Sequence, residues 1–189
     1  MQSIEQIELD GGLLGLIYID ENAENPREMW DNLGTMCCFH KRYDLGDKKE
    51  IVANSDNYDG WDSVERAIKR AAGDCIILPV YLLDHSGITI STRDFRDSWD
   101  SGQVGFIYVS KEKIRKEYGW KNITTKRKER IENYLRSEVE TYDMYITGQV
   151  YGYVIEAGEE CLDSCWGHYG LDYCIEQMKE SAKHFIEEK

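Results

Sequence analysis

The sequence predicts an α+β fold, with a mixed or mainly antiparallel sheet flanked by one long and several short helices, and three observations carry that prediction. Two apolar runs, residues 76–83 and 104–109, are short and rich in β-branched and aromatic residues, as buried strands are. Between residues 125 and 146, Ile131, Leu135, Val139, Tyr142 and Ile146 recur at spacings of 4, 4, 3 and 4, which puts them on one face of a long helix. Strand pairs that read as hairpins at the centre and near the end, with helices between, fit α+β better than the strict βαβ alternation of a doubly wound sheet.

Taken in order, the chain has a polar start and a first strand candidate at 14–19, ended by DENAENPR, where Asn25 and Pro26 break regular structure. Residues 33–39 form a second candidate, followed by the polar patch His40, Lys41, Arg42 and Tyr43 and the turn formers Gly46 and Asp47. The segment NSDNYDG resembles a calcium loop with Ser55, Asn57 and Asp59 as oxygen ligands and Gly60 as its glycine. An EF-hand then needs a carboxylate at position 66, where Arg66 stands, so the segment reads as a turn. Asp62 with Glu65 opens a short helix whose apolar face is Val64, Ile68 and Ala71 and which Gly73 ends.

Runs 76–83 and 104–109 are expected to be neighbouring strands. A second short helix covers 111–118 and stops at Gly119. The long helix follows, with Lys128, Glu129, Glu132, Arg136 and Glu140 on its wet face and Tyr134, Tyr142 and Tyr145 read as core. Residues 149–155 alternate as a strand, 157–160 turn, and 161–166 return as the hairpin partner. The last helix starts near Leu171 and buries Leu171, Cys174, Met178, Ala182 and Phe185.

A chain of 189 residues with 41% hydrophobic content has ample material for a core, and a single globular domain over 1–189 is expected. The first ten residues lack a basic n-region and the apolar run at 13–19 is too short to span a bilayer, which predicts a soluble cytoplasmic protein with no membrane partner. Cys37, Cys38, Cys75, Cys161, Cys165 and Cys174 contain no CxxC pair, so they read as reduced, mostly buried thiols; no metal and no cofactor is expected. A net charge of −13 argues against direct DNA binding. The charge is uneven: residues 1–110 hold 10 basic and 20 acidic side chains, 111–136 hold 10 and 4, and 137–189 hold 3 and 12. The basic band reads as a solvated helix face or as a contact for an anionic partner.

Function is expected in the polar segment between the two central strands, because loops presented by a rigid sheet tend to carry it. The candidate ligand-binding residues there are His85, Ser86, Thr89, Trp99, Asp100, Ser101 and Gln103, joined by His40 and Arg42. His85, Ser86, Trp99, Asp100, Ser101, Gln103, His40 and Arg42 are expected on one side of the sheet, in a shared cleft. His168 and Tyr169, framed by Gly167 and Gly170 at the entrance of the last helix, form a second candidate contact, since helix N-terminal amides attract anions. No GxGxxG, Walker A, GxSxG or HExxH motif is present, and no catalytic residue is assigned.

PREMWDNLGTMCCFHKRYDLGDK, LPVYLLDHSGITIST, WDSGQVGFIYVSKEKIRKEYG, VETYDMYITGQVYGYVIE and LDSCWGHYG resemble a family of small bacteriophage and mobile-element proteins, over residues 26–170. The resemblance implies an accessory protein for which countering a bacterial defence system is a reasonable role, and it implies no particular reaction. Three readings follow. In the first, the cleft binds a nucleotide-like ligand, with hydroxyls and Arg for phosphate and aromatics for stacking, and sequesters an immune signal. In the second, the acidic surface imitates nucleic acid and blocks a host defence protein, as anti-CRISPR and anti-restriction proteins often do. In the third, the protein is a hydrolase that degrades a nucleotide signal, with His85 as general base and Asp100 as its partner, or with Cys38 or Cys165 as nucleophile. Asp84 is a poor partner for His85 because neighbouring residues on a strand point to opposite faces.

Overall fold

A computed structural model describes residues 2–47, 55–96 and 99–187. Its architecture is α+β, built on two four-stranded antiparallel sheets where the sequence suggests one. The chain divides into two compact units, one formed by 1–25 with 144–189 and the other by 26–143.

In the first unit the sheet order is β1 (Glu5–Leu9), β2 (Leu13–Ile19), β7 (Val150–Ala157), β8 (Glu160–Tyr169). Helix α5 (Leu171–Glu187) turns Cys174, Met178 and Ala182 onto Leu13, Ile17, Tyr153 and Ile155, so its apolar stripe meets the inward residues of alternating strands. Leu171 and Phe185 are only partly buried at the margin of this core. Strand β1 falls in the segment that the sequence presents as merely polar. It is an edge strand with Glu5, Gln6 and Glu8 exposed and only Ile7 and Leu9 turned toward the core.

In the second unit the order is β3 (Thr35–Cys38), β6 (Ser101–Ser110), β4 (Cys75–Asp84), β5 (Ile88–Ser91). The expected neighbours are indeed paired, with Leu78 opposite Ile107 and Val80 opposite Gly105. β6 is central and covered on both faces, which is why 104–109 is an unbroken apolar run. On one face Phe106 and Tyr108 meet Val64 and Ile68 of α2 (Trp61–Ala72). Ala67 and Ala72 complete that contact, whereas the expected Ala71 is exposed. Gly105 lies so close to β3 that an added Cβ would stand 2.0 Å from the Cys37 carbonyl oxygen.

Pro26 begins a helical turn, α1 (Pro26–Met29), consistent with proline's fit to the first helical position. Helix α3 (Lys111–Tyr118) is capped by the Ser110 hydroxyl, which accepts from the Lys113 amide, and ends at Gly119 in the left-handed region. Helix α4 (Thr125–Ile146) buries Ile131, Leu135, Val139 and Tyr142 as its spacing predicts, while Ile146, the fifth of the expected stripe, is only half-buried at the helix end. Tyr134 is a correction: it flanks the stripe and is 46% exposed. Arg136 also departs from the expected wet face, being half-buried with its guanidinium donating to the Thr92 hydroxyl. Among the cysteines Cys37, Cys38 and Cys174 are buried, but Cys161 and Cys165 are exposed on β8. Residues 55–57 of the NSDNYDG segment form a single 3-10 turn, and Asn54 lies outside the described residues. No helix among the described residues is long and apolar enough to cross a membrane.

Candidate functional site

The pairing of three strands assembles the cleft. Antiparallel contact of β3 with β6 continues past the strand end, where the Phe39 amide donates to the Val104 carbonyl at 2.7 Å, and this brings His40 and Arg42 beside the start of β6. On β4 the even-numbered residues face one way, so Leu82 and Asp84 project together. Beyond Asp84 the chain turns through His85, Ser86 and Gly87 into β5. Ser86 takes a positive φ of 56°, uncommon for a residue with a side chain, and the His85 amide donates to the Gly87 carbonyl. The Asp84 amide donates to the Asp100 carbonyl, which holds the WDSGQ segment against the same strand end.

The result is a cleft of about 330 Å³ lined by His40, Arg42, Trp99, Asp100, Ser101 and Gln103 together with Leu82, Asp84, Gly102 and Val104. Its polar groups are cross-linked in pairs. Arg42 forms an ion pair with Asp84, whose carboxylate also accepts from the Tyr43 hydroxyl at 3.3 Å. The His40 ring stacks on Tyr43 with centroids 4.8 Å apart. His85, expected in the cleft, is not among its lining residues and reaches it only through Asp100: its Nδ1 lies 2.9 Å from Asp100 Oδ2, with both side chains open to solvent. The Gln103 amide donates to the Gly105 carbonyl, and Trp99 is 93% exposed.

The remaining sequence candidates are placed elsewhere. Ser86 sits exposed at the hairpin tip and does not line the cleft. The Thr89 hydroxyl donates to Asp143 Oδ1 at 2.7 Å, and the same oxygen accepts from the Ile90 amide. Burial raises the Asp143 pKa against the opposing effect of those two hydrogen bonds. Thr89 thus joins β5 to α4. His168 and Tyr169 end β8 in the other unit. The Tyr169 hydroxyl donates to the Glu24 carbonyl. His168 is 8% exposed, stacks on Tyr153 at 5.3 Å and leaves a buried Nε2 without a hydrogen-bond partner, and burial lowers its pKa.

A buried ionic cluster in the 26–143 unit carries no motif in the sequence. The Arg27 guanidinium donates from Nε and Nη2 to Asp47 at 2.8 and 2.6 Å, from Nη1 to Glu138 at 2.8 Å and to Asn32 at 3.0 Å, and from Nη2 to the Gly34 carbonyl. Glu138 in turn accepts from the Leu33 and Gly34 amides, and Asp47 from the Met36 amide. Every side of the fork is satisfied, which is what a buried guanidinium requires. An added Cβ at Gly34 would stand 2.6 Å from Leu135 and 2.9 Å from Ile107, so glycine is what lets this segment close on α4. Among the described residues no cluster of His, Cys, Asp and Glu could hold a metal ion. Comparison of the chain with protein-family models, with curated proteins and with solved structures finds no match.

Proposed function

We propose that the cleft binds a small nucleotide-like ligand and that the protein acts by sequestering it, the counter-defence role that resemblance to phage and mobile-element proteins implies. The supporting observation is convergence: six polar candidates from two distant stretches, His40, Arg42, Trp99, Asp100, Ser101 and Gln103, line one cavity of about 330 Å³, within the usual range for small-molecule sites. Arg42 and His40 supply donors for a phosphate. Asp84 and Asp100 accept from ring amino groups or sugar hydroxyls, and the Trp99 indole offers a face for a base. Binding a phosphate exchanges Asp84 for the ligand at the Arg42 fork.

A second reading rests on one distance. His85 Nδ1 at 2.9 Å from Asp100 Oδ2 is a base held by a carboxylate, the arrangement a hydrolase of the same ligand needs. Incubation with a panel of nucleotide signals, followed by native mass spectrometry and chromatography of the released small molecules, separates the two. Intact recovered ligand supports sequestration and altered ligand supports hydrolysis. No bound or altered ligand across the panel overturns both and leaves an acidic inhibitor of a host defence protein. Asp100→Ala is expected to weaken binding roughly ten- to a hundredfold with folding unchanged, the cost of a lost hydrogen bond to a charged group.

A further inference from the structure

Away from the cleft, exposed aromatic surface in the 26–143 unit gathers at one place. Trp30 and Tyr134 are 48 and 46% exposed and line a pocket of about 180 Å³ together with Asp31, Glu138, Ser137 and Thr141. That volume equals roughly six waters at about 30 Å³ each, room for one long side chain. Met29, next to Trp30 in sequence, is 61% exposed.

The charges at this pocket favour a cation. Glu138 belongs to the buried cluster in which one guanidinium, Arg27, meets two carboxylates, Asp47 and Glu138, so the cluster carries an excess negative charge. Asp31 adds another at the pocket wall. The Tyr134 phenol registers this field: its pKa is pushed up by burial and then by Glu138, Glu117 and Asp31 among its neighbours. Lys113 lines an adjoining depression, where its ammonium donates to the Asn32 carbonyl. Two aromatic side chains lining one pocket with an excess of carboxylate suit an ammonium or guanidinium group.

We propose that this pocket is a docking site for a lysine or arginine side chain presented by a basic protein partner, with Trp30 and Tyr134 as its walls. The 26–143 unit holds 20 basic and 21 acidic side chains, so the attraction is local, set by Asp31 and Glu138 rather than by the charge of the whole chain. The docking site is separate from the ligand cleft and does not depend on it.

The test uses a fluorescent peptide of alternating lysine and glycine and its Nε-acetyl-lysine counterpart, measured by anisotropy against the full chain. Trp30→Ala and Tyr134→Ala both preserve net charge, so they separate the pocket from general attraction to an acidic protein. Each is expected to weaken the lysine peptide at least tenfold, and the acetylated peptide is expected to bind at least tenfold more weakly than the lysine peptide. Thermal unfolding of each variant checks folding, and Tyr134→Gln, which retains a good helix former, replaces Tyr134→Ala if that variant unfolds. Charge-preserving variants that bind like the parent overturn the pocket. Equal binding of the acetylated peptide overturns its cationic occupant.

Discussion

Arg27 and Arg42 both face carboxylates, yet the Arg27 side chain is 1% exposed and that of Arg42 is 68% exposed. Arg27 is fixed by Asp47, Glu138, Asn32 and a backbone carbonyl, and its partners are themselves tied to backbone amides. Arg42 holds Asp84 at an open rim where water competes for both. Identical functional groups therefore serve different ends according to solvent access. Out of water an unpaired charge is costly, so the buried cluster is a structural lock; in water exchange costs little, so the rim pair is available to a ligand.

Three substitutions sharpen that contrast. The largest effect is expected for Arg27→Met, which leaves Asp47 and Glu138 without their cation and should destabilise the chain by about 3–5 kcal/mol in chemical denaturation. An unchanged midpoint would show that the cluster is not a lock. His168 tests the case between these extremes, a buried polar group whose Nε2 has no partner. Its folded pKa is depressed below the ordinary 6.5 by burial, so the unfolded chain binds the proton more readily. Stability should be full above pH 6.5 and should fall as the pH drops through 6.5 toward the folded value, and His168→Phe, which keeps the contact with Tyr153, should flatten that decline in pH-dependent melting. The smallest effect on folding is expected at the rim, where Arg42→Ala should change stability by only about 0–1 kcal/mol while weakening ligand binding; a larger loss of stability would place Arg42 with Arg27.

Much of the fold was legible because burial and periodicity coincide. Residues 76–83 and 104–109 show their strands by β-branched composition, and α4 shows its core face at Ile131, Leu135, Val139 and Tyr142. Tyr134 misled because an aromatic one position before the stripe differs little in sequence from one on it. β1 was hidden because an edge strand needs only Ile7 and Leu9 on its inner side. The division into two sheets was not legible either: the order β3-β6-β4-β5 is set by non-local pairing, and no local pattern encodes it. At the cleft, His40 and Arg42 were recognisable as a polar patch after a strand, whereas Asp84 was weighed only as a neighbour of His85. Strand alternation sends it instead to Arg42. The Arg27 cluster left almost no trace, since Arg27 falls in the DENAENPR break, Asp47 reads as a turn former and Glu138 carries no signal of its own on α4.

The separation of those three residues along the chain also sets an order of events during synthesis. Asp47 lies 20 residues after Arg27, but Glu138 lies 111 residues after it. At about 5–20 residues per second the first partner follows within roughly 1–4 s and the second only after roughly 6–22 s. For most of that interval Asp47 is the only one of the cluster's two carboxylates that the guanidinium can meet, and the Leu33 and Gly34 amides have no acceptor from α4. The NLG segment therefore closes late, and a nascent chain stalled before residue 138 should be cut there by a protease that spares the finished protein.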